Sequence, residues 1–459
     1  MFGKLLGPEI GTLIQERNFS ALKEIFSEWP PVDLAELIGD LPVEEQVVVF
    51  RLLPQNLAAD VFEYFKYDDQ RCLLQAMGKE DVVKILNEMS SDDRTALLEE
   101  LPPTAVTGLL QLLSPEELKI AKNLLGYPEK SVGRLMSVDY IAVRDDWTVK
   151  QVLDYIRENG ADRETLNVVY VLDEQGKLVD DVRIREFLLR PLEVKVREIR
   201  NENFVALKVT DLERDAIQIF KKYDRTALPV VDSEGRLVGI VTIDDVLDVL
   251  EQETTEDIQK LGGSVALDEP YLAASTAKMV RKRAPWLVIL FFSELLTTTA
   301  MAFFQAEIER AVVLATFLPL IISSGGNSGS QATTLIIRAI SIGEVTLGHW
   351  WTVMRREFVS GLALGVILGT IGFLRIAFWH FAFHAYGPHW HLIALVIFFS
   401  LIGVVLWGTL SGSMLPFILR RCGLDPATAS APFVATLVDV TGLVIYFTMA
   451  MLVLKGTLL

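Results

Sequence analysis

Five long apolar runs crowd the C-terminal part of the chain, near positions 284–304, 312–322, 358–381, 392–419 and 433–454. No other feature restricts folding as tightly, because about 20 apolar residues in a helix match the roughly 30 Å of bilayer hydrocarbon. They are predicted to form five membrane helices. The second run is short, and its sequel, SSGGNSGSQ at 323–331, is polar and glycine-rich before the apolar pattern resumes as ATTLIIRAI. This reads as a broken helix, which membrane depth tolerates only where loosened backbone meets protein or water. The expectation is therefore a break beside a pore.

Charge is segregated accordingly. The formal net charge is −17, yet from Ala284 onwards eight Lys and Arg nearly cancel seven Asp and Glu. The acid excess lies wholly in the N-terminal part, which is predicted to be aqueous. Lys278, Arg281, Lys282 and Arg283 precede the first run. Arg338, Arg355 and Arg356 separate the second from the third, and Arg420 and Arg421 follow the fourth. Basic residues favour the cytoplasmic side, so a multi-pass plasma (inner) membrane protein is expected, with its N-terminal domains inside and its C-terminus outside. The opening MFGKLLGPEIGTLIQE lacks the apolar core of a signal peptide. The two cysteines, Cys72 and Cys422, give little basis for a disulfide or thiolate metal site. So acidic a chain repels nucleic acid, leaving divalent cations and membrane lipid as the expected partners.

From about Asn18 to Leu125 short helical phrases such as DLAELIGDLP, QVVVFRLLP and AVTGLLQLLSPEEL repeat, each closed by Pro, Gly or a capping residue. They predict a superstructure of short paired helices. From about Ser131 to Glu251 the rhythm changes to two phrases, NVVYVLDEQGKLVDDVRIREFL and ALPVVDSEGRLVGIVTIDDVLDVL. Each reads strand, acidic turn with Gly, strand, helix, and each follows a helix such as DAIQIFKKYD. This duplication resembles a tandem CBS (cystathionine β-synthase-type) pair. Asp180 and Asp181 stand where that pattern expects small or apolar residues, so a distorted second strand is expected in the first copy. Residues 251–283 form a polar amphipathic linker into the first membrane helix.

Within the fifth run, Pro432 suits a helix start, and Asp439 follows about 10 Å further along the axis. A carboxylate facing lipid is costly, whereas one lining a watery path with a cation is a functional arrangement. Two such groups across a dimer axis would match one divalent ion. Magnesium, which dehydrates reluctantly, would keep several of its waters. Ala435, one turn earlier on the same face, offers a carbonyl without bulk. Asn327, Ser328, Ser330 and Gln331 are further candidates for polar lining, while Gly325, Gly326 and Gly329 suit either lining or close helix packing. Glu294, inside the first run, reads three ways: lining a cavity, pairing with Arg375, or holding a proton. His380, His384, His389 and His391 cluster in an outer loop and read as solvated interfacial groups rather than ligands.

The domain order, together with SGGNSGSQATTLIIRA and DPATASAPFVATLVDVTG, resembles the MgtE family of magnesium channels over essentially the whole chain. The resemblance implies a multidomain fold: an all-α helical superstructure (1–128), an α/β tandem CBS pair (129–193 and 194–251), a connecting helix (252–283) and an all-α domain of five transmembrane helices (284–459). It implies a homodimer that passes Mg2+ and is closed by Mg2+ bound to its cytoplasmic part. It assigns Asp439 to the pore ion and the Ala435 backbone to its second layer. Its sensor ligands would be Asp60, Asp92, Asp224, Asp245, Asp248, Glu253, Glu256 and Asp257, joined by Asp425. Ala431 stands where some members carry a gate-narrowing Asn, while Leu212, Arg214 and Ala96 replace acids that the family can show, so fewer sensor ions are expected.

CBS pairs often hold adenine nucleotides, and Arg185 and Asn201 are compatible with that. Val168 and Arg225, however, replace the aromatic rings that stack on adenine, so ATP is expected to bind weakly or not at all. A coupled carrier, with Glu294 taking a proton or sodium ion, and a membrane-anchored sensor without transport are the alternative functions. No nucleophile–base pair or phosphate loop points to an enzyme.

Overall fold

The structure is a computed structural model, and it describes residues 2–458 apart from 162, 202, 268–270, 272 and 273. It divides into two compact units, Met1–Glu251 and Gln252–Leu459.

The first unit opens with ten helices between Phe2 and Leu124, of which those after Phe2–Gln15 are eight to ten residues long. Punctuation sets their lengths: Pro31 and Pro103 start two of them, Asn18 accepts from Ala21 N–H, and Ser114 from Glu117 N–H. Their apolar faces meet in one core that includes Leu22, Phe26, Leu37, Phe62, Leu73 and Leu86. Arg94 is fully buried beneath it, donating to the Leu86 and Met89 carbonyls and ion-paired with Glu117.

Two matching sheets follow. In the first, β1 (Ala142–Arg144) lies parallel to β2 (Val168–Leu172), which pairs antiparallel with β3 (Leu178–Arg183). In the second, β4 (Leu207–Lys208), β5 (Ala227–Val231) and β6 (Leu237–Thr242) repeat that order. Helices Val149–Asn159 and Glu213–Tyr223 take equivalent places, the former opened by a Thr148–Gln151 capping box. Leu178 N–H bonds to Gly235 O at 3.1 Å and Leu237 N–H to Gly176 O at 3.3 Å, a reciprocal exchange between the copies.

The distortion expected in β3 is not found. Its register with β2 slips once, between Val171 and Leu172, and β5–β6 slips at the equivalent place. Each acid has a partner: Asp180 accepts from Asn201 N–H at 2.7 Å, and Asp181 pairs through Oδ1 with Arg225 at 3.3 Å, its buried Oδ2 remaining without a hydrogen bond. Buried carboxylates matched in this way need not disturb the ladder.

In the second unit five helices are long and apolar enough to cross a membrane: Thr276–Phe303, Val312–Ser341, Leu347–Phe383, Trp390–Arg421 and Ala431–Leu454. The break expected in the second is absent from its glycine-rich stretch. A 3-10 turn, Val312–Phe317, leads into one continuous α-helix, Leu318–Ser341. The glycines there permit contact between helices. A Cβ on Gly408 would fall 2.4 Å from Gly325 O, and one on Gly412 2.3 Å from Gly329 O, so the second and fourth helices touch backbone to backbone. Ser328 bonds to Thr409 at 2.6 Å, and Thr333 donates to Gly412 O at 2.9 Å, along the same seam.

Residues 252–283 are not one helix. The helix that begins at Ile243 runs unbroken to Leu261, and Gly263, at φ +73°, ends it in the left-handed region that glycine enters without a steric cost. A new helix begins at Thr276, capped by Ser275, so Lys278 to Arg283 occupy the first turns of the first membrane helix. Within this linker, 268–270, 272 and 273 lie outside the described residues.

Candidate ion path and acidic sensor

Ser430 caps the fifth helix by accepting from Phe433 N–H, and Asp439 sits two and a half turns above it, half-buried. A Cβ on Gly326 would lie 3.4 Å from Ala435 Cβ and 3.7 Å from Asp439 Oδ1. The second helix thus presents a bare backbone face to the two residues expected at the pore. Ser330 donates to Ala431 O at 3.2 Å beside them, and Asn327 and Gln331 are exposed. Ser328 is turned into the seam with Thr409, which removes it from any lining role. Glu294 is exposed on the first helix, which packs along the fifth, while Arg375, another partner expected for it, lies over the Trp379 ring at 4.8 Å. His380 bonds to Ala385 O at 2.8 Å and stacks on Trp390.

The foot of this helix is tied to the linker that precedes the first membrane helix. Trp286 Nε1 donates to Ser430 Oγ at 3.0 Å, and a Cβ on Gly263 would lie 2.8 Å from the Trp286 ring and 3.3 Å from Pro432 Cγ. Lys260 bonds to Glu256 at 3.2 Å and to Asp425 at 3.1 Å, while Asp257 accepts from Ser341 Oγ at 3.1 Å. Glu256, Asp257 and Asp425 are therefore brought together, with an ammonium group already among them. No sequence signal marks Lys260, because spacing among carboxylates does not point to a cation between them. Burial, first, and then Asp425 and Glu253 push the Asp257 carboxyl upward, against the Ser341 hydrogen bond. Glu253 belongs to the same helix.

In the first unit a larger acidic group assembles. Asp92 and Asp93 open the helix Ser91–Glu100, and Asp244, Asp245 and Asp248 open Ile243–Leu261. Glu164 comes from the loop before β2 and Glu63 from the end of the helix Gln55–Glu63. Asp92 is only 6% exposed, and its Oδ1 has no hydrogen-bond partner. Burial, then Asp245, Glu164 and Asp93, hold its carboxyl well above the ordinary range. Asp245 is pushed up to about 7, by burial first and by Asp244 and Asp93 as well, although Thr242 Oγ1 donates to it at 2.6 Å. Glu63 reaches about 8 through burial and the charges of Asp93, Asp60 and Glu164. Asp248 is raised by burial, Asp93, Glu251 and Asp244, and Asp60 by burial alone.

An orphaned carboxylate oxygen among mutually repelling acids is the electrostatic setting that a divalent cation relieves. Among the described residues no three His, Cys, Asp or Glu side chains converge as a ready-made metal cage. Asp224 stands apart as the exposed left-handed C-cap of Glu213–Tyr223. The sequence reading missed Glu63, Asp93, Glu164 and Asp244. Glu63 lies one turn from Asp60, and Asp93 and Asp244 adjoin expected ligands, whereas only the tertiary fold could reveal Glu164.

Between the CBS copies lies a cleft of about 480 Å3 lined by Asp180, Asp181, Arg183, Arg185, Asn201 and Arg225, among others. Arg225 and Asp181 face each other there as an ion pair.

Comparison with known proteins agrees with this architecture. The family model described as "Divalent cation transporter" (MgtE) matches residues 318–449, "MgtE intracellular N domain" matches 29–130, and "CBS domain" matches 132–192 and 196–252. The chain is 38% identical to "Magnesium transporter MgtE" of Thermus thermophilus, covering 96% of this chain and 97% of that protein. It is 28% identical to the protein of the same name from Bacillus subtilis, covering 95% of each. Among solved structures it resembles the cytosolic domain of the Mg2+ channel MgtE in complex with ATP. That match has 36% identity and a TM-score of 0.50, covering 52% of this chain and 98% of that one.

Proposed function

The chain belongs to the MgtE family of magnesium transporters, and from that premise we propose that it is a homodimeric, Mg2+-selective channel for magnesium uptake, closed from the cytoplasmic side by the ion it admits. The observation that carries this reading is Asp439. It is a half-buried carboxylate at mid-helix in the fifth span, faced by the bare backbone of Gly326 and the small Ala435. Two Asp439 side chains across a twofold axis would balance one divalent charge, and the Ala435 carbonyls would contact the retained waters. In this reading the N-terminal domains lie in the cytoplasm and the C-terminus outside, in the plasma membrane.

Closure follows from the acidic groups. Mg2+ held by Asp92, Asp245, Asp248 and Asp60 would relieve the repulsion among them. A second ion near Glu253, Glu256, Asp257 and Asp425 would fix the end of the helix Ile243–Leu261 beside Trp286 and Pro432. A compact state that binds more ions than an open one gains population as the ion accumulates. Asp224 stands as a ligand only for an ion outside this group. The Arg225–Asp181 pair supports weak ATP binding or none.

The test is Mg2+ flux into liposomes at low and high internal Mg2+, comparing wild type with Asp439→Ala and imposing no co-ion gradient. Flux that requires Asp439, needs no co-ion and is silenced from inside supports the channel. Unchanged flux in the mutant removes Asp439 from its role, flux that stops without a co-ion makes the protein a carrier, and absent wild-type flux leaves only a sensor.

A further inference from the structure

We propose that Glu294 of the first membrane helix is a second carboxylate of the cation site centred on Asp439, and that it sets the preference of that site for divalent over monovalent cations. The inference rests on the transport reading above and extends it to a residue on another helix.

Contacts at two levels fix how the first and fifth helices run together. At the foot Trp286 donates to Ser430 at 3.0 Å and its ring lies 6.1 Å from that of Phe433. At the other end the Phe304 and Phe447 rings stack at 4.9 Å, with 17° between their planes. Between these rungs the first helix advances from 286 to 304 and the fifth from 430 to 447, so the pair is parallel and nearly in register. At about 1.5 Å per residue, Glu294 stands about 12 Å above its rung and Asp439 about 13.5 Å above the same rung. The two carboxylates thus share one depth on helices that pack side by side.

None of the described ion pairs includes either group. Glu294 is exposed on the subunit and Asp439 half-buried, so two like charges stand at one level of the membrane, and a cation held at that level would compensate them. Under the proposed twofold axis the site would hold four carboxylates. The attraction of a fixed charge for an ion scales with the charge of the ion, so a surplus of carboxylate favours a divalent cation over Na+ or K+.

The experiment uses the full-length protein in liposomes and compares wild type, Glu294→Gln, Glu294→Asp and Asp439→Asn. It reads the half-saturating Mg2+ concentration and Na+ entry. Glu294→Gln is expected to raise the former by about tenfold and to admit Na+, Glu294→Asp to restore most of the wild-type behaviour, and Asp439→Asn to abolish Mg2+ flux. Labelling of the wild-type protein with dicyclohexylcarbodiimide, mapped by mass spectrometry, gives a readout independent of flux and of any variant's folding. Mg2+ should protect Glu294 and Asp439 over the same concentration range.

Flux that needs Asp439 but has wild-type affinity and Na+ exclusion in Glu294→Gln overturns this inference and leaves the transport reading intact, as does protection of Asp439 alone. Joint protection in a protein that passes no Mg2+ upholds the shared site while sinking the transport reading.

Discussion

Replacing Glu63 by Gln should stabilise the cytoplasmic unit when no divalent ion is present. Glu63 Oε1 accepts from Ser90 N–H at 2.8 Å, and a glutamine oxygen can keep that bond while the charge disappears. The carboxyl is raised from an ordinary 4.5 to about 8, by burial and by Asp93, Asp60 and Glu164. At pH 7 the unfolded chain would be ionised and the folded one mostly protonated. At about 1.36 kcal/mol per pH unit, the group then opposes folding by roughly 3 kcal/mol. Allowing for relaxation of a shared network, about 1–3 kcal/mol should be recovered, or several degrees in Tm for a unit of this size. The sign follows from proton uptake. Because the folded state holds this proton more tightly, the penalty is absent below about pH 4.5, grows as pH rises and levels off above about pH 8. The gain from the substitution should follow the same course. Thermal unfolding of the fragment 1–251, the counterpart of soluble pieces solved for relatives, with chelator at pH 4, 6 and 8, measures it. A variant no more stable than wild type at pH 8, or a gain that persists undiminished at pH 4, would refute the argument.

Two further outcomes can be checked. Lys260→Met removes the ammonium that joins Glu256 to Asp425; a pair that is 29% exposed on the lysine side is worth about 1 kcal/mol. With the competing ammonium gone from two of the proposed ligands, closure should then need roughly fivefold less internal Mg2+, read as the flux threshold in liposomes, and a threshold that is unchanged or higher contradicts this. The Arg225–Asp181 pair across the CBS cleft predicts that calorimetry of fragment 1–251 detects no ATP binding tighter than roughly 1 mM, and a submillimolar site refutes that prediction.

The layout of the molecule was largely legible because apolar length and turn residues are local signals. Five apolar runs became five membrane-length helices, and two strand–turn–strand phrases became two sheets with the same pairing. What failed depended on neighbours. The glycines of SSGGNSGSQ weaken an isolated helix, yet contact with Gly408 and Gly412 keeps this one whole. Asp180 and Asp181 look disruptive in a strand until Asn201 and Arg225 are seen beside them. Spacing along the helix Ile243–Leu261 suggested an acidic row but could not show that Lys260 closes on Asp425, which lies far along the chain. Glu164 joined the acidic group through a loop without regular structure, where no periodicity marks it. Glu294 was visible as a membrane carboxylate, but only the parallel course of two helices sets it at the depth of Asp439.

The contact of Gly325 with Gly408 and of Gly329 with Gly412 has a mechanical corollary. Where two backbones meet with no side chain between them, there is no rotamer to swap and no space for one helix to slide past the other. The second and fourth helices must then travel as a single block. The first helix, which meets its own subunit mainly along the fifth, stands outside that block, and its foot at Trp286 lies where the helix Ile243–Leu261 ends.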